Sequence, residues 1–218
     1  KIQLDAFLSS DWNNRKWWEG FPEEYQVQMF SDVTNGNVNA PRDTISWYQS
    51  VAFGRWMTEQ FDNLKLRHPS GRLLNVGKNA QIRLPTEWEW QWAAMNGMDN
   101  RVYPWGESDD NPRANTAESG IQERSTAVGM YPGGIAKCGA LDMAGNLYEW
   151  CFNSLSYLKN ANGYYPKGFD DKKGRLLRGG SFLDSYTEAV NSSRNYNAPR
   201  YDDDTFGVRL VIAPILLL

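Results

Sequence analysis

RLLRGGSFLDSYTEAVNSSRNYNAPRYDDDTFGVRLV, residues 175–211, has two ends that follow backbone rules and a middle that does not. An apolar pair precedes Gly179 and Gly180, which is typical of a strand that ends where the chain packs closely or needs φ > 0. Alternating apolar residues over 206–211 predict a second, half-buried strand. The middle shows no period. We therefore expect an exposed platform there, which the rest of the domain holds in place.

The composition is that of one aromatic-rich domain. The chain has 218 residues, 41% of them hydrophobic, which is enough to bury one core within a single domain over 1–218. Ten Trp, eleven Tyr and nine Phe indicate an irregular, loop-rich fold in which large rings supply buried area. The net charge of −3 and the lack of any Lys/Arg cluster argue against nucleic acid or an anionic membrane as partner. No run is long enough for membrane insertion.

The cysteines and the chain start say little about compartment. Cys138 and Cys151 have no spacing typical of a metal site, and we interpret them as buried free thiols. A disulfide between them would need an oxidising compartment. The opening KIQLDAFLSS resembles the inside of a helix, so we expect that residues before Lys1 are missing. Without a visible signal peptide a cytoplasmic location is favoured.

A capping box predicts the first long helix. Ser46 and Gln49 have the Ser-x-x-Gln form, and apolar residues at spacings of three and four follow to about residue 61. The next stretch, 61–79, reads as a loop or as a hairpin with its turn at 69–71. His68 lies in this polar stretch, and no Cys or Asp stands at the spacing of metal ligands from it. We therefore interpret His68 as a solvated loop histidine and not as a catalytic base.

Tryptophans cluster in two places. Trp88 and Trp92 lie four residues apart on a second predicted helix. A capping box at Thr86 begins this helix, and Gly97 is placed to end it. We interpret that helix as a core helix with the two rings on one face. The polar loop 11–24 holds three more tryptophans, which we interpret as plugs of the core, with sugar stacking as the alternative. These are Trp12, Trp17 and Trp18.

One turn concentrates oxygen ligands. Asp142, Gly145, Asn146 and Glu149 bracket a tight turn that leads into a strand-like segment over 147–152. Carboxylate and carbonyl oxygens in one turn suit a hard cation such as calcium. They also suit a turn that is hydrogen-bonded to itself. From the residues alone the second interpretation is favoured.

Seven motifs in this order resemble the formylglycine-generating enzyme (sulfatase-modifying factor) superfamily. The resemblance covers about 17–211 and implies an α+β, C-type-lectin-like fold, with a small twisted antiparallel sheet, two helices and much irregular chain. A fold does not fix a function, which has to be argued from the site. The motifs are SWYQSVAFGRWMTEQF, RLPTEWEWQWAA, YPWGE, the AN of Ala114 and Asn115, GALDMAGNLYEWC, LRGGSF and FGVRLV.

The chain departs from the enzymes of that superfamily at their metal site. Those oxidases hold copper with a cysteine pair shortly after the GGS motif, at positions that fall here on Asp184 and Ala189. Neither supplies the soft thiolate that selects monovalent copper. The related iron enzymes that make sulfoxides need several histidines, and this chain has one. The resemblance therefore predicts no enzymatic activity, with a divergent oxidase whose site has moved as the alternative.

The same resemblance implies a structural calcium ion and no required cofactor. In the enzymes a glutamate and nearby carbonyls of the motif matched by DMAGNLYEW hold one calcium ion. That set maps onto Asp142, Gly145, Leu147 and Glu149.

The segment 182–205 resembles the variable proteins of diversity-generating retroelements. Those proteins end in the same GGS to G-[FV]-R-L-V stretch, and adenine-directed changes of Asn codons yield the residue mixture found here. The resemblance predicts a non-enzymatic binding protein whose ligand is unknown, with a protein favoured. A carbohydrate-binding lectin is the further alternative, which would need calcium open to sugar hydroxyls. Tyrosines would be rigid anchors and the polar residues adaptable contacts. The predicted face is Phe182, Leu183, Asp184, Ser185, Tyr186, Tyr196, Ala198, Tyr201, Asp203 and Thr205.

Overall fold

The structure is a computed structural model, and it confirms the predicted α+β class. It describes residues 2–68, 70–97, 99–107, 113–121, 124–155 and 174–216. Within them the α-helices are α1 (Ile2–Ser10), α2 (Trp47–Gln60) and α3 (Glu87–Met95). The strands are β1 (Lys65–Arg67), β2 (Leu73–Asn75), β3 (Ala80–Arg83), β4 (Tyr148–Ser154), β5 (Arg175–Arg178), β6 (Asn195–Asn197), β7 (Phe206–Gly207) and β8 (Val211–Pro214). None of these helices has the length and hydropathy of a membrane span.

The described strands form three small sheets. β1 pairs with β2 and β3 with β8, each pair antiparallel, while the order β6-β5-β4-β7 forms the largest sheet. Within it β7 runs parallel to β4. The single strand predicted over 206–211 is therefore wrong, because the chain leaves the large sheet after β7 and pairs with β3 only from Val211. Gly207 allows β7 to pack closely beside the start of β4, since a Cβ there would lie 2.8 Å from Leu147 Cδ1.

Both predicted capping boxes are confirmed. Ser46 Oγ accepts from the Gln49 N–H at 3.2 Å, and Gln49 Oε1 accepts from the Ser46 N–H at 2.7 Å. The Thr86 hydroxyl and the Glu89 carboxylate make the same exchange, at 3.2 and 2.8 Å. These bonds satisfy donors that the first turn of a helix otherwise leaves unpaired. α3 ends at Met95 and is capped by Asn96, whose left-handed φ is 52°; the predicted stop, Gly97, follows it with a φ of 78°.

Tryptophan rings fill the core. Four of them are at most 1% exposed, and the indole N–H groups of Trp47 and Trp150 donate to the Cys151 and Ile45 carbonyls at 2.9 and 2.8 Å. A buried ring whose polar atom is hydrogen-bonded contributes its full area to the core. In the loop predicted to plug the core, Trp17 and Trp18 are buried, and Trp12 is partly buried against the same core cluster. That prediction is confirmed.

The interpretation of α3 is wrong about which face is buried. Trp88 and Trp92 share one face as expected, but they are 52% and 60% exposed, whereas Trp90 is 1% exposed. Trp90 packs against Met143, Cys151 and Leu176. The residue between the two predicted core rings is therefore the one that anchors α3.

The remaining local predictions have mixed outcomes. β1 and β2 form the predicted hairpin, although Pro69 lies outside the described residues. His68 is exposed there, with Nδ1 2.8 Å from Ser70 Oγ, as expected for a loop histidine. Both cysteines are free, but Cys138 is exposed and only Cys151 is buried.

Candidate functional site

The segment 182–205 presents large side chains to solvent. Leu183, Tyr196 and Tyr201 are 52%, 57% and 51% exposed, and Asp203 is exposed as well. The other predicted face residues Asp184, Ser185, Tyr186 and Ala198 are half-buried. Exposed aromatic side chains of this size are typical anchors of protein interfaces.

Two predicted face residues do not belong to that surface. Phe182 is 4% and Thr205 is 8% exposed, so the expectation that they face solvent is wrong. The backbone explains both, because each lies where the segment joins the sheet region. The Phe182 N–H donates to the Asn146 carbonyl at 3.0 Å, and the Thr205 carbonyl accepts from the Tyr148 N–H at 2.8 Å.

A buried arginine fixes the backbone of the segment from below. Arg178, at the end of β5, is 0% exposed, and its guanidinium donates to the carbonyls of Asn191, Ser192 and Ser193. It also donates to Gln91 Oε1 of α3 at 2.9 Å. Burial lowers the pKa of Arg178, and the nearby Glu87 carboxylate opposes that shift. Because these bonds go to backbone carbonyls, the side chains of residues 191–193 can change without removing the bonds that Arg178 makes.

Further bonds tie the segment to two distant parts of the chain. Arg194 Nε donates to Glu87 Oε1 on α3, and Glu87 is fully buried. Asn191 is bonded on both sides to the 101–102 loop: its N–H donates to the Val102 carbonyl at 2.8 Å and its Nδ2 to the Arg101 carbonyl at 3.1 Å.

Tyr186 belongs to the frame more than to the open surface. Its ring stacks on Tyr103 with centroids 4.6 Å apart and lies 6.1 Å from the Trp105 ring. Its N–H donates to both oxygens of the Glu118 carboxylate, at 3.0 and 2.9 Å. These contacts fix one end of the segment, so Tyr186 has less freedom to vary than Tyr196 or Tyr201.

Asp184 and Ala189, the positions at which the resemblance places the copper thiolates, make internal contacts instead. Asp184 Oδ1 accepts from the Tyr148 hydroxyl at 3.0 Å, and Oδ2 accepts from the N–H and hydroxyl of Ser181 at 2.7 and 2.5 Å. Ala189 is 1% exposed and packs so closely that a Cβ on Gly180 would lie 3.3 Å from its own Cβ. A hydrogen-bonded carboxylate and a buried methyl group do not fit monovalent copper.

The Tyr148–Asp184 contact predicts a stability change at alkaline pH. Burial, and to a smaller extent the negative charge of Asp184, raises the pKa of Tyr148 from its ordinary value of 10.0 to about 12. Between these values the unfolded state loses the phenolic proton before the folded state does, so stability falls as pH rises. We expect Tyr148→Phe to reduce the slope of the urea midpoint against pH between about pH 10 and 12. An unchanged slope would show that Tyr148 ionises normally in the folded protein.

The predicted calcium residues lie together, and both carboxylates among them accept hydrogen bonds from the protein. The Glu149 carboxylate accepts from Arg209 Nε and Nη2 at 2.8 and 2.7 Å and from Trp90 Nε1 at 2.7 Å. The guanidinium therefore already supplies the positive charge beside Glu149, with its own Nη2 bonded to the Leu141 carbonyl at 2.8 Å. Asp142 Oδ2 accepts from the Gly129 N–H at 2.7 Å, and burial raises its pKa.

The rest of that turn is bonded to neighbouring backbone. The Gly145 N–H donates to the Gly179 carbonyl at 2.8 Å, and the Asn146 N–H donates to the Asn115 carbonyl at 2.7 Å. Leu147 is buried, at 4% exposure. These contacts are those expected of a turn held by hydrogen bonds, and a calcium ion at this turn stays a prediction.

Sequence reasoning missed the charged residues of the frame. The sequence pattern assigned no role to Glu87 or Arg178, which are far apart in the chain. The local signal was weak, because Glu87 adjoins Trp88 and Arg178 follows Leu177, but neither lies inside an apolar run. A buried charge needs a partner, and here the partners come from distant parts of the chain.

The sequence of this chain is similar to those of known proteins. A family model described as sulfatase-modifying factor enzyme 1-like domain matches residues 4–214. The formylglycine-generating enzyme of Streptomyces coelicolor is 31% identical over 197 residues, which cover 82% of this chain and 54% of that protein. The hercynine oxygenase of Mycobacterium tuberculosis is 29% identical over 190 residues, 83% of this chain and 39% of that protein.

A solved structure supports the fold. Treponema denticola variable protein 1 superposes with a TM-score of 0.58 at 21% identity, over 84% of this chain and 75% of that one. At this low identity the superposition shows the fold alone. It confirms the lectin-like α+β fold expected from the motifs. The chain spans about half or less of the length of the two curated relatives.

Proposed function

This chain belongs to the sulfatase-modifying factor enzyme 1-like domain family, and we propose that it is a non-enzymatic binding member of that family. Its ligand-binding face is the exposed part of 182–205, and its ligand is a protein. The observation that carries the proposal is the contrast between backbone and side chains in this segment. Arg178 and Asn191 fix the chain from inside, while Leu183, Tyr196 and Tyr201 are more than half exposed.

This contrast is what a diversified surface requires. Exposed substitutions away from buried contacts change stability by less than about 0.5 kcal/mol, so recognition can vary while folding does not. Two exposed tyrosines supply large contact area at low conformational cost, as in antibody loops. The residue mixture of the segment supports its origin as a retroelement-diversified region.

The binding proposal is tested by comparing two displayed libraries. In the first, Leu183, Ser192, Tyr196 and Tyr201 are randomised. In the second, the exposed residues Met29, Val38, Val128 and Met130 are randomised as a matched control outside the segment. Both are selected against one panel of immobilised purified globular proteins. We expect specific binders to emerge from the first library, and equal success of the second would refute a dedicated face.

The oxidase alternative draws support from the two curated relatives and predicts a different result. Their names describe a formylglycine-generating enzyme and an oxygenase. Because Asp184 and Ala189 offer no thiolate, we expect neither stoichiometric Cu(I) binding in an anaerobic titration nor oxygen uptake with a cysteine-containing peptide. The double variant Asp184→Cys, Ala189→Cys is the control that restores both thiols. Oxygen uptake by the unaltered chain above the peptide's background would favour an oxidase with a relocated site.

A further inference from the structure

The β1–β2 hairpin gathers positive charge that the proposed binding face does not use. Residues 61–79 contain four Lys or Arg against one carboxylate, Asp62, in a chain of net charge −3. Two of these cations lie on β1, one in the turn before β2 and one in the turn after β2. Among the residues that the structure describes, none of the four takes part in an ion pair. They are Lys65, Arg67, Arg72 and Lys78.

The same hairpin exposes apolar side chains. Leu64, Leu66 and Leu73 are 37%, 39% and 47% exposed, while Leu74 and Val76 are buried and attach the hairpin to the domain. The surface of the hairpin therefore combines partly exposed leucines with cations that lie outside every described ion pair. Such a surface is typical of an interaction site.

The outer edge of β1 has open backbone groups. The Val76 N–H donates to the Leu64 carbonyl at 3.0 Å and the His68 N–H to the Arg72 carbonyl at 2.9 Å. Hydrogen-bonded pairs alternate along an antiparallel ladder, so Lys65 and Arg67 direct their N–H and C=O groups away from β2. Within the described sheets β1 pairs with β2 alone. Two donors and two acceptors are therefore placed to bond one more strand.

The register sorts the side chains along that edge. Lys65 and Arg67 lie opposite Asn75 and Leu73 on one face of the hairpin, and Leu66 lies opposite the buried Leu74 on the other. Successive residues of a strand point to opposite faces. A strand added beside β1 would thus meet cations on one face and leucine on the other.

We propose that this edge binds an extended segment of a partner protein in which acidic and apolar side chains alternate. The segment adds to β1 as a further strand, with carboxylates beside Lys65 and Arg67 and an apolar side chain beside Leu66. Main-chain bonds supply affinity, and the alternation supplies specificity. This site is independent of the 182–205 face.

The competing explanation is a protected edge. Short edge strands often carry Lys or Arg to prevent association with other chains. That purpose does not account for the exposed Leu64, Leu66 and Leu73, which would promote association. Phosphate-rich partners would use the cations and the N–H groups, but neither the leucines nor the open carbonyls of Lys65 and Arg67.

The first test uses a labelled peptide of about nine residues, strand length, in which glutamate and valine alternate. Fluorescence anisotropy measures its binding to the full chain, and hydrogen exchange measures the amides of Lys65 and Arg67. We expect saturable binding together with slower exchange at these two amides. A peptide of the same composition with the glutamates and valines in separate blocks should bind at least about tenfold more weakly. Equal binding of the two peptides would overturn strand addition.

Variants separate backbone recognition from general charge attraction. Arg67→Pro removes an outward N–H without removing a β1–β2 bond, and Lys65→Glu with Arg67→Glu reverses the edge charge. Each should weaken peptide binding at least about tenfold, whereas the control Lys78→Glu, in the tight turn after β2, should change it less than about threefold. Should Arg67→Pro fail to fold, the charge reversal and the exchange data decide. Equal loss in Lys78→Glu, or displacement of the peptide by phosphatidylserine vesicles or single-stranded DNA, contradicts the proposal.

Discussion

Arg178→Ala is expected to lower the free energy of unfolding by about 3–5 kcal/mol, the range for breaking a buried charged contact. The side chain is 0% exposed, and its loss leaves the carbonyls of Asn191, Ser192 and Ser193 without their shared donor. Glu87, also fully buried, loses a cation 3.6 Å away. Urea unfolding followed by tryptophan fluorescence measures the change.

A matched arginine in the same segment provides the control for Arg178. Arg200 is exposed, and its guanidinium lies over the Tyr201 ring at 5.3 Å. Arg200→Ala should leave the urea midpoint unchanged. If both variants unfolded at the midpoint of the unaltered chain, the buried frame described here would not hold the segment.

Gly145→Ala is expected to cost about 3 kcal/mol, from left-handed strain of about 1–2 kcal/mol and a backbone clash of about 1–3 kcal/mol. Gly145 has a φ of 68°, and a Cβ there would lie 2.3 Å from the Asn115 carbonyl oxygen. This contact is with backbone, which cannot rotate away as a side chain can. The free energy of unfolding in urea is the measurement.

Gly120→Ala isolates the strain from the clash. Gly120 has a similar φ of 72°, but a Cβ there would meet no atom of the described residues within 4 Å. Its substitution should cost only the left-handed strain, about 1–2 kcal/mol. Equal losses at the two glycines would mean that close packing against Asn115 contributes nothing, and that the turn before β4 is looser than the structure shows.

Local rules in the sequence predicted the boundaries of the helices well, but they predicted poorly which helix face is buried. A capping box is a contact within four residues, so Ser46 and Thr86 could be recognised without tertiary information. Which face of α3 is buried depends on what packs against it. With tryptophan at positions 88, 90 and 92, the pattern offered no contrast, and the structure buries Trp90.

The candidate site was predictable in place and less so in detail. The segment 182–205 was bounded by its glycine pair and its returning strand, and Leu183, Tyr196 and Tyr201 are exposed as expected. Phe182 is buried because it adjoins the sheet, which an aperiodic stretch could not reveal. The frame below the segment joins residues far apart in the chain, so the Arg178 contacts needed coordinates.

The most direct test of the central claim is the free energy of unfolding of one combined variant, Leu183→Ser, Tyr196→Ser, Tyr201→Ser. If these side chains form a tolerant surface on a fixed frame, the three exposed changes together should alter stability by less than about 1.5 kcal/mol, about 0.5 kcal/mol each. A loss several times larger, of the size expected for Arg178→Ala, would show that the exposed residues help to hold the fold and would contradict the account.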